Sequence, residues 1–370
     1  MSIQDDTGLG GPEAVDLGME AAAIRTHLEE RAAGDIFSGA VRISRRGEKL
    51  FAGAYGYASR TWGIPAALDT RFDTASITKL FTAVVVLQAV EEGLLTLDTR
   101  AVDYLGLTGT SIHPDVTLGQ LISHTSGMGD DADEEAGEDY AEVWREHISY
   151  LVRETSDMLP LFAHKPSNFA PGEGCRYCNV GFDLAGMMLE AATGETYRDR
   201  VRRLVFTPAG MTRSDFFAMD VIEPDVAEGA DLVGGRWVRN IYSYMPVGTP
   251  SGGAHSTVAD LEKFLVAVQN GSLLGPAMTT LFFTPSTKHS EDEAGSLFFG
   301  YGLEFSYDPE GALMFFEKEG INAGTSAVLR HYPDYEVTLV MLSNLEDGVW
   351  EPRSFIDAQI RNHFDRRQEL

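Results

Sequence analysis

The sequence predicts an α/β (α+β) fold: an antiparallel sheet flanked by helices, with an inserted mostly helical domain. Three observations point there. Segments of alternating apolar and polar residues, the pattern of half-buried strands, lie towards both ends of the chain. Short turn sequences join them in pairs, and strands joined by hairpins run antiparallel. The middle, from about residue 95 to 225, reads as helices and loops instead. At 370 residues the chain exceeds the size at which one core usually keeps growing, so two domains are expected. The reading is a polar leader over 1–18, a discontinuous sheet domain of 19–73 and 230–370, and a helical insertion of 74–229, with a site at their interface.

The elements follow in order. "MEAAAIRTHLEERAAG" from Met19 is a short amphipathic helix with Ile24 and Leu28 one turn apart. "FSGAVRISRRGEKLFAGAYGYASR" is a hairpin around Arg46-Gly47. From Ser76 to about Glu92 the spacing is helical, and Gly93 ends the run. "NVGFDLAGMMLEAATG" is a helix of the middle region. Two more hairpins follow, around Asp308-Pro309-Glu310-Gly311 and around Pro333-Asp334, and a helix from about Glu351 to Phe364 closes the chain. The acidic run "DDADEEAGED", residues 130 to 139, reads as a solvated loop, with a mobile rim over a pocket as the other reading. Its Gly137 lies one place too late for a calcium-binding EF loop.

Acidic residues outnumber basic ones 56 to 29, for a net charge of −27. Such a surface repels phosphate backbones and anionic lipid heads, so neither nucleic acid nor membrane is an expected partner. The N-terminus shows neither a basic n-region nor an apolar h-region, so no secretory signal is visible and a cytoplasmic location is expected. The longest apolar run, Leu80 to Val90, is short of the ~20 residues that cross a bilayer. Two cysteines are too few for a disulfide framework.

Chemistry enters with "FDTASITKLFTAV". Ser76 and Lys79 stand one helical turn apart, which places an amine beside a hydroxyl on one face, close to a helix N-terminus that favours developing negative charge. Alone, Ser76 reads equally as a helix-capping serine. Two further elements change that balance. Tyr177-Cys178-Asn179 is the one Tyr-x-Asn in the chain, and Lys318-Glu319-Gly320 is its one Lys-x-Gly, on an expected strand. Lysine occurs at only six positions, so two of a scarce residue fall within these elements.

Ser-x-x-Lys with a Lys-x-Gly element is the signature of serine β-lactamases and penicillin-binding proteins. With Tyr-x-Asn as its middle element, the chain resembles the branch of class C β-lactamases, D-alanyl-D-alanine carboxypeptidases, D-aminopeptidases and β-lactamase-like esterases and acyltransferases. The resemblance covers about residues 20 to 365 and includes "LISHTSGM", "PGEGCRYCNVGFDLAG", "AGMTRS" and "SGGAHSTVADLEKF". It implies a β-lactamase/transpeptidase-like fold and acyl-enzyme chemistry on a small acyl substrate, with neither metal nor cofactor.

The resemblance also implies roles. Ser76 attacks a carbonyl, and Lys79 keeps the proton network poised. Tyr177, held partly as phenolate between Lys79 and Lys318, shuttles protons. Asn179 hydrogen-bonds the substrate, and the backbone N–H groups of Ser76 and Ile321 form the oxyanion hole. Glu319 departs from the family pattern, which carries Thr or a small residue there to receive a substrate carboxylate. Beside Gly320, an acidic side chain repels such a group, so neutral or amine-bearing esters and amides are expected over penicillins. The plainer readings of Glu319 are a solvent-facing side chain or a pair with Lys318. Cys175 and Cys178 read as filler, and His124 and His255 as structural. The expected activity is that of an esterase or D-amino-acid peptidase or amidase, with an acyltransferase or a non-catalytic binding protein on the same scaffold as alternatives. Acyl group, leaving group and oligomeric state are not legible in the sequence.

Overall fold

The computed structural model describes residues 17–368. The expected leader lies almost wholly outside them. Eight strands form one antiparallel sheet: β1 (Gly39–Arg45), β2 (Glu48–Tyr55), β3 (Thr287–Asp292), β4 (Gly295–Phe299), β5 (Glu304–Tyr307), β6 (Leu313–Asn322), β7 (Thr325–Tyr332) and β8 (Val337–Ser343). Their spatial order is β2-β1-β8-β7-β6-β5-β4-β3, so the N-terminal hairpin docks on the last strand of the chain. The three expected hairpins are β1/β2, β5/β6 and β7/β8. A fourth, β3/β4, extends the far edge.

Period-two alternation gives the sheet two apolar faces. Val41, Ile43, Val328, Leu339 and Met341 face helix α1 (Met19–Ala33) and helix α5 (Trp350–Gln368), where Ile24, Leu28, Ile356 and Ile360 close that layer. Ala40, Ala327, Leu329, Val340 and Leu342 face the larger core. That core holds α2 (Thr78–Glu91), α3 (Asn179–Thr193) and α4 (Val258–Gln269). Helix α2 is buried nearly all round, with Leu80, Phe81, Val84, Val85, Val86 and Leu87 in the core. Phe81 packs edge-on against Phe206 and Phe264, with ring centroids 5.2 and 4.9 Å apart.

The second part of the sheet starts at Thr287 rather than near residue 230. Residues Ala230–Val233 and Arg236–Arg239 form a separate two-stranded hairpin. Its alternation resembles that of a sheet strand, and its outer residues are exposed because no third strand covers them. One continuous core runs from the helical middle to the sheet. The turn that leads into helix α2 meets strand β6 across that junction, and the candidate site lies there.

Candidate active site

Ser76 lies in a 3-10 turn, Ala75–Ile77, that feeds directly into α2. Ala75 is held at φ 42°, a left-handed conformation that costs a non-glycine residue about 1–3 kcal/mol. Its surroundings fix it there. The Ala75 N–H donates to Asp73 Oδ1 at 2.7 Å, while the Thr74 N–H and hydroxyl both donate to the Ala254 carbonyl, at 2.8 and 2.7 Å. The serine is thereby turned out of the helix start towards the sheet.

Lys79 is fully buried one turn on. Its Nζ donates to Ser76 Oγ at 2.9 Å, to Asn179 Oδ1 at 2.7 Å and to the Ser251 carbonyl at 2.6 Å. Burial, aided by the charge of Lys318, brings its pKa down to about 8. A lysine has three N–H donors, and all three are used. Loss of the proton shared with Ser76 leaves two donors on fixed acceptors and a lone pair aimed at Oγ. The geometry therefore suits a general base.

Tyr177 donates its phenol hydrogen to Ser76 Oγ at 2.8 Å. The expected phenolate is not what surrounds it. Burial pushes the phenol well above its ordinary pKa, and the charges of Glu134, Glu304 and Asp130 push the same way. Lys318 donates to Glu304 Oε1 at 2.5 Å, which sets a carboxylate beside its charge. The two ammoniums lie over the tyrosine ring, 5.1 and 4.6 Å from its centroid. Tyr177 is a protonated donor in this state. His124 stacks on its ring at 4.6 Å and 23°, and accepts the Cys178 N–H at Nδ1 at 3.0 Å. Burial keeps that imidazole neutral, so it orients the tyrosine instead of acting on Ser76.

Asn179 reaches the base as well. Its Oδ1 holds Lys79, and its Nδ2 donates to Glu134 Oε1 at 2.8 Å. Its Oδ1 thereby positions the lysine, and the second Nδ2 hydrogen has no protein acceptor among the described residues. Ile321, on the open stretch of β6, lines the cleft with Ser76. A Cβ on Gly320 would fall 2.4 Å from the Thr74 carbonyl oxygen and 3.0 Å from Ser76 N. Lys-x-Gly thus needs its glycine for the close approach of β6 to the nucleophile turn. Gly320→Ala is expected to lower kcat/KM by more than about 100-fold by shifting that turn, since ~1 Å of misplacement has this effect. Steady-state kinetics on any turned-over ester checks it.

The cleft in front of Ser76 has a volume of about 350 Å³. Four carboxylates line it: Glu134, Glu135, Glu304 and Glu319. Two of them come from the acidic run: Glu134 and Glu135 are exposed at the rim of the cleft, whereas Asp130 and Asp131 are buried, and there the reading as a solvated loop is wrong. Asp130 is buried and accepts the Asn179 and Val180 N–H groups at the start of α3, at 2.7 and 3.0 Å. Asp133 clamps Arg176, Glu135 accepts the Tyr177 N–H at 2.7 Å, and Glu134 holds Asn179. The run therefore wraps the Tyr-x-Asn element. Counting charge could not show this, because the backbone donors it satisfies lie more than 40 residues on. Glu319 pairs with Arg353 of α5, not with Lys318, and this partner blunts its repulsion of anions. Glu304, the partner of Lys318, carried no signal in the sequence.

These distances bring Ser76, Lys79 and Tyr177 into one hydrogen-bonded group, as Ser-x-x-Lys and Tyr-x-Asn imply. The Beta-lactamase family matches residues 23–358. The chain belongs to that family. It is a serine hydrolase of the β-lactamase fold. A penicillin-binding protein from Bacillus halodurans is 33% identical, with a TM-score of 0.83 over 89% of this chain and 99% of that one. A D-stereospecific amidohydrolase from Streptomyces is 25% identical, with a TM-score of 0.75 over 92% of this chain and 98% of that one. Esterase EstB of Burkholderia gladioli is 35% identical over 49% of this chain, which spans 48% of EstB. Among the described residues no helix is long and apolar enough to cross a membrane.

Proposed function

We propose that this serine hydrolase cleaves esters or amides whose acyl group carries an amine, through an acyl-enzyme on Ser76, and that it is a poor β-lactamase. One observation carries the substrate class. Of the four carboxylates in the cleft, three have cationic partners: Glu135 with Arg176 at 3.8 Å, Glu304 with Lys318, and Glu319 with Arg353. Among the described residues no cation lies within ion-pair distance of Glu134, which lines the cleft beside Ser76. A substrate ammonium supplies that missing charge, and a substrate carboxylate, such as a penicillin carries, is repelled. The names of the Streptomyces amidohydrolase and of EstB agree with amide and ester chemistry.

The steps follow from the contacts. Neutral Lys79 takes the hydroxyl proton as Ser76 Oγ adds to the carbonyl carbon. The N–H groups of Ser76 and Ile321 receive the oxyanion. Tyr177 donates its proton to the leaving nitrogen or oxygen as that bond breaks. The transient phenolate recovers a proton from the Lys79 ammonium, and a water then enters by the reverse relay to release the acid.

The test is a set of esters with one leaving group and acyl groups that differ in a single ammonium, methyl or carboxylate. A charge pair at 4 Å is worth about 4 kcal/mol at an effective dielectric of 20, before desolvation is subtracted. The ammonium ester is expected to exceed the carboxylate ester at least about tenfold in kcat/KM, a difference of about 1.4 kcal/mol. Glu134→Gln is expected to bring the ratio near unity. A ratio unchanged in that variant, or nitrocefin turned over faster than the ammonium ester, refutes the assignment.

A further inference from the structure

A second cavity lies behind the nucleophile turn, apart from the cleft. Its volume is about 190 Å³, and Ser76, Lys79 and Tyr177 do not line it. Its inner wall carries Asp73, His255 and Asn344. Asn344 is 4% exposed, and its Nδ2 is spent on the carbonyls of Tyr57 at 2.9 Å and Glu228 at 2.8 Å. Its Oδ1 is buried with no donor, and His255 Nδ1 is buried with no partner. Asp73 gives Oδ1 to the Ala75 N–H, and among the described residues no donor reaches its Oδ2. Asn344 Oδ1 and His255 Nδ1 are thus two buried polar atoms left unpaired on one small cavity that a carboxylate also lines, and they call for a ligand or ordered water.

The wall selects the ligand. Asn344 Oδ1 and the Asp73 carboxylate only accept hydrogen bonds, and a neutral imidazole accepts at Nδ1 when its other nitrogen holds the proton. Arg239, the cavity's one arginine, lies 3.6 Å from Glu228, and among the described residues Asp73 has no ion pair. The occupant therefore brings several N–H donors and a positive charge. Towards the mouth the lining turns apolar with Phe217, Met219 and Ile222, the last 99% exposed. We propose that this cavity is a second binding site, for a small primary amine with an apolar tail, its ammonium shared by Asp73, Asn344 and His255.

Benzylamine is the probe, titrated into the full chain by calorimetry, with crystals soaked in parallel. The cleft offers a competing site at Glu134, so Glu134→Gln is titrated alongside. Ile222→Lys places a cation at the mouth of the second cavity on a fully exposed position, where folding is not at risk. The expected result is amine density against Asp73 and Asn344, affinity kept in Glu134→Gln, and affinity at least tenfold weaker in Ile222→Lys. Ordered water alone in the cavity, or binding lost in Glu134→Gln and kept in Ile222→Lys, overturns the proposal.

Discussion

Lys79→Met is expected to lower kcat/KM by about 10³- to 10⁴-fold, towards the upper end of what one general base contributes. Methionine keeps most of the length of the side chain but cannot take a proton. The wild type carries a signature that ties this loss to Lys79. The base acts when neutral, and its pKa is brought down to about 8 by burial and by the neighbouring Lys318. Activity therefore rises with pH and levels off above about 8. At pH 7, one unit below, about a tenth of the molecules hold the neutral amine. The rising limb in the kcat/KM profile should disappear in Lys79→Met, leaving a low, flat residue of activity. A variant that keeps the limb assigns it to another group.

Tyr177→Phe is expected to act on amides far more than on activated esters. The phenol donates to Ser76 Oγ, and burial holds its proton firmly, so its work is to deliver that proton to a departing nitrogen. An amine cannot leave unprotonated, whereas a nitrophenolate can. The amide is predicted to slow by about 10²- to 10⁴-fold and a p-nitrophenyl ester by less than about tenfold. His124 still stacks on the ring, so thermal melting should show little change. Equal losses on both substrates contradict the donor role and favour a phenolate base.

The contrast between what the sequence showed and what it hid is physical. Ser76 and Lys79 are legible because a helix forces residues three apart onto one face. Helix α2 is legible because an apolar run of that length, broken only by Thr82 and Gln88, must be buried. Strands β1, β2 and β5 to β8 are legible through alternation and tight turns. By contrast, Glu304 became the partner of Lys318 through the lateral approach of β5 to β6, and sequence spacing does not record pairing across a sheet. The Tyr177 environment was misjudged for the same reason. Two lysines in the motifs suggested a phenolate, but Lys318 is paired with Glu304, and burial together with the charges of Glu134, Glu304 and Asp130 raises the pKa of the phenol. Asn179 likewise took its partners, Lys79 and Glu134, from positions 100 and 45 residues away. The residues of the candidate site announced themselves, and the charges around them did not.

The central claim is that Ser76 Oγ is the atom that becomes acylated. Intact-mass measurement after a short incubation with a fluorophosphonate or a p-nitrophenyl ester tests it most directly, with Ser76→Ala beside the wild type. One adduct of the probe mass on the wild type, mapped to the peptide containing Ser76 and missing from Ser76→Ala, is the predicted result. An adduct that persists in Ser76→Ala, or turnover by that variant at the wild-type rate, would contradict it.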